Sequence, residues 1–478
     1  MSEVEKSTEP AGPSDAGLPG PNRLSAGHVS LEGVHSSIEV PHHDSGFWQQ
    51  WRAFVGPAIL VSVGYMDPGN WGTDLQAGAQ FKYGLLWVVA LASLMAIFMQ
   101  VISARLGVVT GKDLAQCCRD WYPAWTRWPN WLMSEAAIGA CDLAEVLGSA
   151  VALNLMFHIP MLWAVIITSF DVLLLLGLQR FGMRTIEAIV LLLIATISAC
   201  YFIEIFVLPQ TQPSFLEMGR ALLSPHIRQA GILYLAIGIV GATVMPHNLY
   251  LHSALVQSRK LQKDEPSIRS AIRFNTVDSI VALTIAFFVN AAILVLAATV
   301  FFGKESVTAS GGHVIRFAAD SDWIRVAYLT LAPLLGTAAA STLFAVALLA
   351  SGQSSTITGT LAGQVVMEGF MHWRIKPWVR RLITRMLAIL PAVIIIGLRG
   401  DSSVTDLLTL SQVVLALQLP FAMFPLLHFT SSGRRMGKWK NSWILLAAGW
   451  GSAILITAMD LFGLPDSFKA AWQVLAGG

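Results

Sequence analysis

Runs of about 20 mostly apolar residues recur along this sequence from residue 54 onward, each long enough for one helical crossing of a bilayer. A chain of that kind has few options, because lipid offers its backbone no hydrogen bonds and only self-satisfied helices or closed barrels can span. Eleven crossings are predicted, at 54–80, 84–105, 130–157, 159–178, 186–208, 229–258, 275–303, 326–352, 382–398, 404–428 and 441–460. Composition agrees. With 55% hydrophobic and 13% charged residues and a mean hydropathy of +0.61, the chain is too apolar for a soluble protein of 478 residues. The expected fold class is an all-α polytopic membrane protein.

The net charge of +2 is spread over short loops, which excludes a basic nucleic-acid surface. Residues 1–46, rich in Ser, Pro, Gly and Glu, lack the apolar surface needed to offset ordering and are expected to be a disordered cytoplasmic tail. That tail has no apolar run of the signal-peptide kind. Residues 47–478 then form one transmembrane domain of 11 helices. Cys117, Cys118, Cys141 and Cys200 show no metal or redox spacing and are expected to be reduced packing residues. Lys and Arg crowd alternate loops, such as Arg259, Lys260, Lys263, Arg269 and Arg273, which places those loops, and the N-terminus, in the cytoplasm. An odd number of crossings puts the C-terminus outside. Asp171 and Glu204 fall near span ends and are expected to be interfacial.

Two of the runs are broken. The first carries Asp67-Pro68-Gly69-Asn70 at hydrocarbon depth, and the sixth carries Met245-Pro246-His247-Asn248 at a similar depth. Both share the frame x-Pro-x-Asn, with Asp67 opposite Met245 and Asn70 opposite Asn248. Five crossings separate them, so the second half is inverted relative to the first. Paired broken helices in an inverted repeat point to a midplane ion site. Either proline alone is an ordinary kink in a membrane helix, and Met245 alone is ordinary core filling. An Asp at the bilayer centre, by contrast, is costly without a partner and is functional by default.

The candidate ligands form a mixed shell: the Asp67 carboxylate, the Asn70 amide oxygen, the Met245 thioether, and the carbonyls of Gly64 and Ala242 one turn before each break. A thioether suits manganese, iron, cobalt or cadmium better than calcium or magnesium, which prefer all-oxygen shells.

These blocks, together with Gly241 to Ser253 and Ala350 to Gln364, resemble the Nramp family of proton-coupled divalent-metal transporters, whose hallmarks are DPGN in helix 1 and MPHN in helix 6. The resemblance spans about residues 50–460. It implies a LeuT-like 5+5 inverted repeat plus an eleventh transmembrane helix, with helices 1 and 6 broken. It adds Gln412 on helix 10 to the metal ligands. It also implies a proton route through the third span, where Asp142 and Glu145 share a face beside Glu135, with Arg380 and Arg381 as counter-charges. His247 and His252, on the second half of helix 6, are candidate proton carriers. A static ion-pair network is the rival reading for the carboxylates.

The expectation is therefore proton-coupled import of manganese or iron by alternating access, in the inner membrane, by a monomer without a permanently bound cofactor. A magnesium carrier or an amino-acid symporter of the same fold are the alternatives. No HExxH-like or GxxxxGK[ST] motif supports a metalloenzyme or an ATP-driven pump.

Overall fold

The computed structural model describes residues 37–42, 45–168, 170, 183–207, 212–225, 231–262, 264–308, 314–317, 323–335, 338–373, 375, 377–399 and 404–476, apart from some side chains within them. A short amphipathic helix, α1 (Phe47–Phe54), leads into α2 (Pro57–Gly64) and α3 (Pro68–Phe81), the two halves of the first broken span. There follow α4 (Leu86–Thr110), α5 (Leu114–Trp121), α6 (Arg127–Phe157), α7 (Met161–Thr168), α8 (Met183–Phe202) and α9 (Phe215–Leu223). The second half opens with another broken pair, α10 (Ile232–Val244) and α11 (Pro246–Leu255), and continues with α12 (Glu265–Val300), α13 (Trp323–Leu335) and α14 (Ala338–Met371). It closes with α15 (Pro377–Arg399) and α16 (Val404–Ser431), after which α17 (Trp443–Ala476) is appended.

Eight helices among the described residues are long and apolar enough to cross a membrane, and a shorter apolar helix covers Leu382–Leu398. Large apolar side chains such as Leu192, Phe206, Leu387, Leu398, Ile454 and Phe462 stand on the outer surface, as expected of a protein whose solvent is lipid. The helix contacts come in related pairs. α3 lies on α12 while α11 lies on α4; α6 lies on α16 while α14 lies on α8; and α6 meets α14 between the halves. That pattern is an inverted repeat seen as packing. Glycines bring the paired helices close: a Cβ on Gly78 would strike the Leu294 carbonyl of α12, and one on Gly107 the Ser253 carbonyl of α11.

Two expectations change, for the eighth crossing and for Glu204. The eighth crossing, expected at 326–352, is α14 at Ala338–Met371, and α13 is a separate helix before it. Hydropathy misplaced it because Ser351, Ser354, Ser355, Thr356 and Thr358 are polar yet buried against neighbouring helices. Of the tail 1–46, the structure describes 37–42 and 45–46, where Ile38–Glu39 pairs in parallel with Arg259–Lys260. Glu204, expected at the interface, is fully buried, while Asp171 lies outside the described residues. The four cysteines are free and buried.

Candidate metal centre

Each break is made by the same device. Pro68 and Pro246 lack an N–H and sit at the first position of α3 and α11, where none is needed. The preceding residues, Asp67 and Met245, are therefore forced out of the helix and into the gap between the half-helices. Asp67 takes extended backbone angles and caps α3, its Oδ1 accepting from the Asn70 backbone N–H at 2.8 Å and from Asn70 Nδ2 at 2.8 Å. Its Oδ2 is buried and has no hydrogen-bond partner among the described residues. The N-terminus of α3 also presents its positive dipole end to the carboxylate.

Asn70 joins the two breaks. Its Nδ2 also donates to the Ala242 carbonyl at 3.1 Å, and its Oδ1 accepts from Asn290 of α12 at 3.2 Å. Asn290 in turn donates to the Tyr65 carbonyl at 2.8 Å, and Ser351 of α14 donates to the Met66 carbonyl. The unwound carbonyls at and beside the break thus have side-chain donors from the other half of the molecule. Met245 is fully buried, and its sulfur accepts from Asn248 Nδ2 at 3.5 Å. A Cβ on Gly64 would stand 3.2 Å from that sulfur and collide with the Asn248 amide, so Gly64 faces the thioether directly. Gln412 lies over Gly69, where a Cβ would collide with its amide, and its Oε1 has no partner among the described residues. Asp67, Asn70, Met245, Ala242 and Gln412 are each no more than 1% exposed. The two breaks thus meet at a buried point where Asn70 links Asp67 to the Ala242 carbonyl, with Met245 facing Gly64 and Gln412 lying over Gly69 beside it. Asn248 was not among the expected ligands, although its pairing with Asn70 in the shared frame was a signal for it.

The carboxylates of α6 border this point. A Cβ on Gly148 would collide with Pro68, so α6 runs hard against the start of α3. Asp142 and Glu145 are fully buried. Glu145 Oε2 lies 3.4 Å from Arg385 Nη1 and accepts from Thr356 of α14 at 3.1 Å. Arg385, itself fully buried, also donates to the Asp142 carbonyl at 3.4 Å. Arg380 pairs with Glu135 at 2.9 Å, further along α6, and the Arg381 side chain lies outside the described residues. Among the described residues Arg385 is a cation that meets Glu145, and the sequence reading did not include it. An arginine inside the apolar run 382–398 was itself the signal.

His247, on the first turn of α11, is buried with neither ring nitrogen partnered among the described residues, and lies within electrostatic reach of Asp142. His252 is elsewhere: its Nδ1 is 2.9 Å from Gln100 Oε1, and Gln100 donates to the Tyr65 hydroxyl at 2.6 Å.

The start of α2 is clamped from three sides. The Asp278 carboxylate of α12 accepts from the Gly56 and Ala58 backbone N–H groups at 3.3 and 2.9 Å. Arg259, 2% exposed, donates to the Ala53 and Val55 carbonyls and pairs with Glu187 of α8 at 3.0 Å. Arg184 reaches the Arg52, Ala53 and Val55 carbonyls.

The family model described as "Nramp: Natural resistance-associated macrophage protein-like" matches residues 58–464, which hold both breaks and the whole of the site. The chain belongs to the Nramp family. It is 49% identical over 445 residues to "Divalent metal cation transporter MntH" of Nostoc sp., covering 92% of this chain and 96% of that one. Its likeness to the MntH of Xanthomonas campestris pv. campestris is 45% over 480 residues, covering 100% of both. Among solved structures, it resembles a manganese transporter of Eremococcus coleocola with a TM-score of 0.81 at 40% identity, over 92% of this chain and 91% of that one. The nucleobase-cation-symport-1 transporter Mhp1 shares the fold at a TM-score of 0.53 and 12% identity, over 88% of this chain and 93% of that one. These Nramp and Mhp1 likenesses agree with the inverted repeat read from the two breaks.

Proposed function

We propose that this Nramp protein imports a divalent transition-metal ion, manganese or iron foremost, together with protons by alternating access. The observation that carries the reading is the buried Asp67 carboxylate at one break, its Oδ2 without a partner among the described residues, joined through Asn70 to the Ala242 carbonyl of the other break, which carries the buried Met245 thioether. One anionic oxygen, neutral amide and carbonyl oxygens and a soft sulfur suit manganese, iron, cobalt or cadmium, and disfavour a magnesium carrier. The thioether beside a carboxylate is equally ill suited to an amino-acid symporter.

In this reading the ion sheds most of its water for Asp67, Asn70, Met245, the Ala242 and Gly64 carbonyls and Gln412. Release requires α2 to leave its clamp at Arg259, Glu187 and Asp278. Protons leave along α6, where Asp142, Glu145 and Glu135 alternate with Arg385 and Arg380. His247, on the first turn of α11 and within electrostatic reach of Asp142, joins this route. A negative-inside potential drives the import, at about 2.3 kcal/mol per charge per 100 mV. The protein sits in the inner membrane as a monomer, N-terminus cytoplasmic and C-terminus external, and holds no permanent cofactor and catalyses no reaction.

The test is uptake in proteoliposomes with a panel of divalent ions and an internal pH dye. Wild-type protein takes up manganese with acidification, and Asp67→Ala takes up none while eluting as a folded monomer. Wild-type uptake by Asp67→Ala would remove the site assignment.

A further inference from the structure

Asp67 is followed on α3 by a second buried carboxylate. Asp74, two helical turns further toward Phe81 and so on the same stripe, is 1% exposed, and neither of its oxygens has a hydrogen-bond partner among the described residues. Between them the buried Trp71 ring lies 5.2 Å from the ring of Tyr201 on α8. The Tyr201 hydroxyl is likewise buried and without a partner among the described residues. One turn beyond Tyr201 the helix widens into a π-turn over Ile203–Val207, a distortion that recurs at functional sites. That turn carries Glu204, fully buried with both oxygens unpartnered among the described residues. Tyr201 lies within electrostatic reach of both Asp74 and Glu204, and Asp74 within reach of Asp67. The four residues therefore mark a buried line of oxygens from the Asp67 ligand toward the end of α8. It runs along the half of α3 away from the Arg259 clamp.

Carboxylates buried without partners are unfavourable unless a cation offsets them. We propose that Asp74, Tyr201 and Glu204 form a second station for the divalent cation, visited on the approach to Asp67 from the Phe81 end of α3. The proposal rests on the reading of Asp67 as the metal ligand, and in the orientation given above this approach is the external one. Two carboxylates and a phenol are too few to cage a metal, and no group of three His, Cys, Asp or Glu side chains fit for one occurs among the described residues. The station holds a partly hydrated ion briefly and raises its local concentration next to the deep site.

The experiment is the concentration dependence of manganese uptake in proteoliposomes for the wild type, Asp74→Asn, Glu204→Gln, Tyr201→Phe and Glu204→Asp. Loss of either carboxylate is expected to raise KM by about tenfold, the lower end of what a charged approach contributes, and to change the maximal rate less. Tyr201→Phe keeps the ring against Trp71 and raises KM by a smaller factor, and Glu204→Asp recovers most of the wild-type KM. A lowered maximal rate at unchanged KM overturns the station. So does an unchanged KM with less acidification per manganese, which would make the line a proton path. If Asp74→Asn does not fold, Glu204→Gln and Tyr201→Phe decide the matter by the same criteria. A wild type that takes up no manganese overturns the transport reading itself, whereas normal wild-type kinetics with unaltered KM in every variant overturns the station alone.

Discussion

At the scale of a single residue, the proposed ion choice falls to Met245. Pro246 pushes it out of the helix, and its sulfur then faces Gly64 and the Asn248 amide in the gap between the half-helices. An oxygen-preferring ion gains nothing from a thioether, whereas manganese tolerates it. Met245→Ala should therefore keep some manganese uptake and admit calcium or magnesium, because water can complete the shell in place of sulfur. Competition by calcium against manganese uptake is the measurement, and unaltered selectivity would make the methionine a packing residue only. Asp67 has a second duty as the cap of α3, but a lost cap costs only about 1 kcal/mol, too little to unfold the protein.

Between elements, the decisive contact is that of α6 with the start of α3. Gly148 leaves no room for a Cβ beside Pro68, so the helix bearing Asp142 and Glu145 touches the break that bears Asp67. Gly148→Ala overfills that contact, with an expected cost of about 1–3 kcal/mol and a displaced break. Thermal unfolding should show the loss of stability, and manganese affinity by calorimetry should fall with it. A variant with both values unchanged would mean that α6 and α3 slide apart freely. The Glu145–Arg385 pair, fully buried on both sides, belongs to the same layer and is bridged by Thr356 from α14.

For the molecule as a whole, transport requires the two halves to move, and the Arg259 cluster holds them together at one end. Arg259 binds the carbonyls before α2 and also Glu187 of α8, so its loss removes the buried half of a clamp that Arg184 shares and loosens the start of α2. In Arg259→Ala, a single cysteine replacing the buried Ser62 of α2 should react faster with a maleimide than in the Arg259 background, the native cysteines having been removed. Equal labelling rates would deny the cluster a part in closure. Coupling is the other whole-molecule property, because the ligands lie on the broken helices and the acidic pair on α6. Glu145→Gln should lower acidification per manganese more than it lowers manganese binding, relative to a lipid-facing substitution such as Leu192→Ala in the same vesicles. Equal flux ratios would leave Glu145 and Arg385 as a static pair. If Asp67 is the metal ligand, as proposed, it can itself release a proton on binding, and part of the coupling is then expected to survive the change.

The sequence by itself determined the membrane class, the two breaks, their inverted relation and the candidate ligands at them. Each of these follows from local chemistry, namely apolar length, proline geometry and the expense of an intramembrane charge. It placed the eighth crossing wrongly, because buried serines and threonines on α14 read as polar until their partner helices are known. Only the tertiary structure paired Arg385 with Glu145, set Asn248 against Met245 and buried Glu204 beside Tyr201. Those relations join residues far apart in sequence or turn on burial by neighbouring helices, and no periodicity encodes which charge meets which when helices cross.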